Sequence, residues 1–460
     1  MEQIDRIVDY INVHRDRYVD ELKQYLAIPS VSALPQHQGD VRTAAEWSAE
    51  HMRGIGLENA RLIETPGNPI VYGEWLKAPG APTILFYGHY DVQPVDPVEL
   101  WESPPFEATV REGEIYARGS ADDKGQVFMH FKAIEAHLKQ AGRLPINIKV
   151  FLEGEEEVGS LHLDPFVREN KPLLAADVVV ISDSAMFARE IPSICYGLRG
   201  LVYYQIDLRG TKSDLHSGVF GGAMANPAFV LSQIIAQLKD KSGRIRIPGF
   251  YDAVRDLTDA ERAEWKKLPF DEKQFAAGLG ISHGSGEKGF SAIERRWARP
   301  TCDVNGITSG YQGPGAKTVI PSKASAKISM RLVPDQDPRD IREKFQRAIR
   351  SRLPDNCKLE FIDHGLLEPA LLPIDKPEMK LAAEAMEIGF GKQPVFIREG
   401  GSIPVGSLFK RELGLDTIFV GFGLPDDNLH APNEKFDLES FHAGRRTAAA
   451  LYAKLAELRK

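Results

Sequence analysis

Residues 82–91 read Pro-Thr-Ile-Leu-Phe-Tyr-Gly-His-Tyr-Asp, an apolar run that ends in His89 and Asp91. A short apolar run bounded by turn residues reads as a buried strand, here Thr83–Tyr87. With a two-residue period, His89 and Asp91 face the same side of the chain. In open α/β sheets, sites are built in the crevice beyond the strand carboxyl ends, which is where this pair falls. Three similar segments surround it: Ile70–Trp75, Ile146–Leu152 and Val178–Ile181. The helical run Gly125–Lys139 lies between the strand of His89 and Ile146–Leu152. Strands alternating with helices predict an α/β layer structure.

Toward the N-terminus, Ile4, Ile7, Val8, Ile11, Tyr18, Leu22 and Leu26 recur three or four apart and predict one helix, stopped by Pro29. Val41–Met52 predicts a second, ending at Gly54 and Gly56. From Leu201 the order changes. A strand (Leu201–Leu208), a helix (Pro227–Leu238) and a long charged insertion are followed by two strands (Thr301–Ile307, Ala324–Val333), a helix (Pro338–Arg352) and a strand (Lys358–Ile362). This βαββαβ order is the ferredoxin-like pattern, able to stand as a separate domain. Beyond Pro373 the α/β style returns with a helix (Glu378–Phe390), a strand (Thr417–Val420) and a helix (Leu438–Leu458). A chain of 460 residues is expected to form two domains. The prediction is a discontinuous α/β domain, residues 1–197 and 371–460, with a mixed sheet and helices on both faces. Residues 198–370 form the inserted ferredoxin-like domain.

The net charge of -8 gives no basic face for nucleic acid and no attraction to an anionic membrane surface. No segment approaches the roughly 20 apolar residues of a membrane helix, and charges interrupt the N-terminal stretch too often for a secretory signal. Cys195, Cys302 and Cys357 are odd in number and far apart, fitting neither a disulfide framework nor a thiolate zinc site. A cytoplasmic address is expected.

Four further places put metal-ligand side chains near the ends of predicted strands or helices. Asp122 and Asp123 precede the helix from Gly125. Glu153, Glu155, Glu156 and Glu157 follow Ile146–Leu152, Asp183 ends the run from Val178, and His430 and Glu434 lie in the loop before the last helix. Taken singly, each has an ordinary structural reading: a capped strand end, a helix N-terminus neutralised by acids, a solvated acidic loop. Together, His89, Asp122, Glu157, Asp183 and His430 are two histidines and three carboxylates suited to zinc, manganese or cobalt. Sharing one carboxylate, they can hold two metals on the order of 3.5–4 Å apart. Two dications, three carboxylates and a bridging hydroxide sum formally to zero charge, so a buried site carries no net charge.

The motifs GHYDV, ARGSADDKG, EGEEEVGS, ISDS, DLHSGVFGG, REGGSIPV and LHAPNEKF, in that order, resemble the two-metal peptidases and deacylases that include carnosinase-like dipeptidases, aminoacylase, acetylornithine deacetylase and succinyl-diaminopimelate desuccinylase. The resemblance runs from Ile28 to the last helix and is strongest to the cytosolic dipeptidase branch. It implies that His89 and Asp183 bind one metal, Glu157 and His430 the other, that Asp122 bridges them, and that the peptide from Asp122 to Asp123 is cis. It implies Glu156 as general base and Asp91 as the partner of the histidine ligand. It further implies that His216 stabilises the oxyanion in the other subunit of a homodimer formed through the inserted lid domain. Arg331 and Thr318 match positions that contact the substrate's terminal carboxylate, and Glu399 and Ser402 match a pocket-lining loop. There is one departure: the stretch from His364 to Pro373 has no equivalent of the aromatic- and histidine-containing segment of carnosinases, which argues against carnosine itself.

The expected function is metal-dependent hydrolysis of dipeptides or similar small peptides, with a metal-bridged hydroxide as nucleophile and two divalent ions per subunit, zinc first. The alternatives are an N-acyl-amino-acid deacylase on the same site and a non-catalytic metal-binding homologue.

Overall fold

The computed structural model describes residues 2–401 and 403–458. The chain divides into two compact units. The first comprises the residues up to Tyr196, Leu372–Ile397 and the residues from Leu408 on; the second comprises Gly197–Leu371 and Arg398–Ser407.

In the first unit the strand of His89 runs Thr83–His89 and is parallel to Asn147–Glu153 on one side and to Val178–Ile181 on the other. All three are buried almost throughout, as continuous apolar runs must be when both faces of a sheet are covered. Thr417–Phe419 extends the parallel set beside Val178–Ile181, whereas Ile70–Trp75 is antiparallel to Asn147–Glu153, so the sheet is mixed. Consecutive residues of one strand show where its cover lies. Phe86 stacks on His130 of the helix Lys124–Ala141 at 3.8 Å, and Tyr87, pointing the other way, meets the edge of Phe409 at 5.7 Å. Helices therefore cover both faces.

Some predicted elements differ from the observed ones. The N-terminal run is two helices, Glu2–Val13 and Arg15–Leu26, because at His14 the backbone leaves helical geometry (φ −100°, ψ 16°) and the ring Nδ1 takes the Tyr10 carbonyl at 2.8 Å. Glu58–Ile63 is an edge strand in which only Ala60 is buried, so it carries no apolar alternation to detect. A small antiparallel sheet of Thr109–Arg111, Glu114–Tyr116 and Lys435–Asp437 also went unseen, since three-residue strands are too short to show a period.

The second unit contains a four-stranded antiparallel sheet in the spatial order Asp303–Ser309, Lys323–Leu332, Gly200–Arg209, Lys358–Leu367. With helices Pro227–Ala236 and Pro338–Arg350 this completes the ferredoxin-like order. Burial alternates strictly along Gly200–Arg209, and the inward set (Val202, Tyr204, Ile206, Leu208) packs with Leu231, Ile234, Ile341 and Phe345 into the core of the unit. Among the described residues no helix is long and apolar enough to cross a membrane.

Candidate metal centre

The residues singled out at strand ends converge within the first unit. His89 is fully buried at the end of its strand, where its Nδ1 lies 3.1 Å from the Asp91 carbonyl oxygen and 3.5 Å from Asp91 Oδ1. With Nδ1 committed, Nε2 is the free ligand atom. It sits 3.1 Å from Asp122 Oδ1 and 3.8 Å from Asp183 Oδ2. The other oxygen of Asp122 is 2.9 Å from His430 Nε2, which in turn is 3.4 Å from Glu157 Oε2. Two donor groups result, His89–Asp122–Asp183 and Asp122–Glu157–His430, and within each the donor atoms lie no more than 4.8 Å from one another. Asp122 belongs to both. The peptide from Asp122 to Asp123 is cis.

The acidic stretch from Glu153 to Glu157 gives three of its four carboxylates distinct partners rather than leaving them in solvent. Glu153 turns inward and accepts from the Tyr87 hydroxyl (2.5 Å) and the Ser160 hydroxyl (2.9 Å). Glu155 holds the loop by accepting from the backbone N–H groups of Asn68 and His162 and from the His162 ring. Glu156 and Glu157 begin a short 3₁₀ turn, and Glu157 Oε2 accepts from Gln93 Nε2 at 2.7 Å.

The electrostatics show what this cluster demands. Burial, reinforced by the charge of Asp122, pushes the carboxyl groups of Glu157 and Asp183 each up to about 8. Burial likewise raises Glu156, against the opposing pull of His89. Asp122 is held well below the ordinary carboxylate range: burial opposes this, but hydrogen bonds from His430 and His89 outweigh it. The hydrogen bond to Asp122 lifts His430 to about 9, with the Glu157 charge adding to it. Without a counter-charge Glu157 and Asp183 keep protons into the neutral range. Bound cations displace such protons, so the donor set fits divalent metals in number, type and charge.

Four residues that serve this site were not singled out from the sequence, or were given no role. The Ser32 hydroxyl donates to Asp91 Oδ2 at 2.6 Å, Gln93 holds Glu157, and Arg118 and Glu434 form a buried pair with a 2.6 Å contact. Glu434 lies in the same motif as His430, which is the one signal that could have drawn attention to it.

The remaining candidates lie in the second unit. His216 is exposed, and its Nδ1 accepts from the Gly218 N–H at 3.0 Å as the cap of a short helical turn. The strand Leu215–His216 pairs with Val319–Ile320, and Ser217 N–H donates to the Thr318 carbonyl at 3.1 Å, so His216 and Thr318 lie on adjacent paired segments. Arg331 is half-buried on the strand Lys323–Leu332, and burial lowers its pKa. Glu399 ends the strand Val395–Glu399. Ser402 lies outside the described residues.

The chain matches peptidase family M20/M25/M40 over residues 85–454. It is 35% identical to the Cys-Gly metallodipeptidase of Candida albicans, covering 96% of this chain and 95% of that protein. It is 30% identical to the Beta-Ala-His dipeptidase of Homo sapiens, covering 99% and 93%. The crystal structure of the M20 family metallo-carboxypeptidase Sso-CP2 from Sulfolobus solfataricus is similar with a TM-score of 0.83 and 33% identity, covering 96% of this chain and 99% of that one.

Proposed function

The chain belongs to peptidase family M20/M25/M40 and is a metal-dependent hydrolase of dipeptide amide bonds; from that premise we propose how its residues divide the work. His89 and Asp183 hold one divalent cation, Glu157 and His430 a second, and Asp122 bridges the two. The observation that carries this reading is the sharing of Asp122 between two donor groups. Imidazole nitrogens mixed with carboxylate oxygens suit zinc first, then manganese or cobalt.

Bound cations at such a site polarise the scissile carbonyl and lower the pKa of the attacking water. Glu156 takes the proton of that water and delivers it to the leaving amine nitrogen. Burial raises its carboxyl above the usual glutamate range, which suits a group that must hold a proton between the two transfers. Asp91 fixes the ring of His89 so that Nε2 faces the cation. In the second unit, the Arg331 guanidinium offers a fork for the substrate's terminal carboxylate, and Thr318 is assigned to the same group. In this reading Glu399 contacts the substrate, and His216 serves the oxyanion of the partner subunit.

The partner is a second copy of this chain. The strand Asp303–Ser309 supports that reading: among the described residues it ends its sheet and is paired on one side only, and it exposes Ile307, as the neighbouring helix exposes Phe229. A cytoplasmic address is consistent with the three cysteines being buried thiols.

The deciding experiment measures metal content together with hydrolysis of a dipeptide panel, set against acetylated and succinylated amino acids, before and after chelation. About two ions per chain, with dipeptide turnover lost to chelator and restored by zinc or manganese, supports the reading. A protein that binds no ion, or that prefers acylated amino acids, overturns it.

A further inference from the structure

The two loops that carry Asp122 and His430 are far apart in sequence, yet one buried ion pair stitches them together. Arg118 and Glu434 are both nearly inaccessible to solvent. Glu434 Oε2 accepts from Arg118 Nη1 at 2.6 Å and from the Gly119 N–H at 3.0 Å; its Oε1 accepts from the N–H groups of Ala121 (3.0 Å) and Asp122 (3.2 Å). One carboxylate thus gathers three amides of the same loop, those of Gly119, Ala121 and Asp122 itself. From the other side, Arg118 Nη2 donates to the carbonyls of Pro94 (3.1 Å) and Ala431 (3.2 Å), the second being the residue next to His430. The Ala117 N–H donates to the Glu434 carbonyl at 3.1 Å, and the strands Glu114–Tyr116 and Lys435–Asp437 pair directly behind.

The two cation sites differ in how much they need this stitch. His89 is the last residue of a buried parallel strand, whose ladder fixes it, and Asp183 follows two residues after the end of the neighbouring one. His430 sits on an open loop with its side chain 53% exposed, and Asn428, His430 and Asn433 all have left-handed backbone, with φ between 54° and 60°. Nothing in regular secondary structure holds that ring, and non-glycine residues occupy this conformation only when their surroundings impose it.

We propose that the Arg118–Glu434 pair is a positioning latch that sets the affinity of the Asp122–Glu157–His430 cation site in preference to that of the His89–Asp122–Asp183 site. The proposal rests on the dinuclear reading above. Both residues act through the ligands; neither touches a cation or substrate. Loss of a group that orients metal ligands typically lowers metal affinity by roughly 10–100-fold.

The test is a calorimetric zinc titration of the metal-free protein, wild type against Glu434→Gln, with His430→Ala and Asp183→Asn as references that identify each binding step. The expected result is two steps in the wild type. In Glu434→Gln, the step lost in His430→Ala weakens about 10–100-fold while the other moves less. Turnover of this variant recovers as zinc is raised, whereas turnover of Glu156→Gln does not. The double variant Arg118→Met/Glu434→Gln, which leaves no unpaired buried charge, shows the same selective weakening if the single variant folds poorly. Unchanged affinity at both steps, equal weakening of both, or a fall only in the thermal stability of the metal-free protein overturns the latch. A wild-type protein that binds no zinc overturns instead the dinuclear reading beneath it.

Discussion

Asp91 accepts the backbone N–H of Glu157 on its Oδ2 at 3.1 Å, while its own carbonyl oxygen and Oδ1 face Nδ1 of His89. One buried residue therefore orients the histidine of one donor group and anchors the turn that presents the glutamate of the other. The Ser32 hydroxyl, also on Oδ2, holds the carboxylate in place from the N-terminal segment. The two donor groups are coupled through Asp91 as well as through the shared Asp122.

That coupling predicts the behaviour of Asp91→Ala. Metal affinity is expected to fall at both binding steps, by roughly 10–100-fold, because two ligand-bearing segments lose their common anchor. Calorimetric titration checks it; a loss confined to one step argues against the dual role.

Glu156→Gln is expected to keep both ions and to lose turnover by roughly 10²–10⁴-fold, the usual contribution of a positioned acid–base group. Metal analysis and kcat on one preparation decide the matter. Turnover within a few fold of wild type removes Glu156 from the mechanism.

Chelated protein should show an unusual dependence of stability on pH. Glu157 and Asp183 are raised to about 8 in the folded chain, and His430 to about 9. A group that binds its proton more tightly when folded stabilises the fold at low pH and loses that contribution as pH rises through the folded pKa. Burial lowers His51, His130, His137 and His442, which act in the opposite sense but are neutral in folded and unfolded chain alike above about pH 7. The melting temperature of the metal-free protein should therefore fall between about pH 7 and pH 9. Asp122, held low, contributes in the opposite sense, but its loss falls below that window. Zinc should stabilise more at pH 8 than at pH 5. A metal-free protein whose melting temperature rises across this range contradicts the assignment of buried, protonated carboxylates.

If His216 serves the site of the partner subunit, two inactive variants should rescue each other. Co-expressed Glu156→Gln and His216→Ala chains form mixed dimers in which one site combines an intact Glu156 with an intact His216. Random pairing makes about a quarter of all sites complete, so activity should approach that fraction of wild type. Co-expressed chains no more active than the separate variants would place His216 outside the reaction.

Much of the centre was legible because its residues stand at the ends of strong sequence signals. His89 and Asp183 close continuous apolar runs, which mark buried parallel strands, and the carboxyl ends of such strands are where α/β sheets build sites. The second unit was legible for a related reason: its strands Gly200–Arg209 and Lys323–Leu332 alternate and its helix Pro338–Arg350 is amphipathic. The role of each acid after Asn147–Glu153 was not legible. Four glutamates in five positions look alike in sequence, and only the surroundings sent Glu153 to Tyr87, Glu155 to His162 and Glu157 to Gln93 and His430.

By itself, the sequence determined that the chain is an α/β protein with an inserted ferredoxin-like unit and that its histidines and carboxylates fall at strand ends, because periodicity and side-chain chemistry are local properties. The tertiary structure alone decided which atoms face one another. The contacts of Asp122 with His430 and of Arg118 with Glu434 each join residues more than 300 positions apart. The three-residue strands that bring those loops together carry too little pattern to be read, being stabilised by partners that only the folded chain supplies.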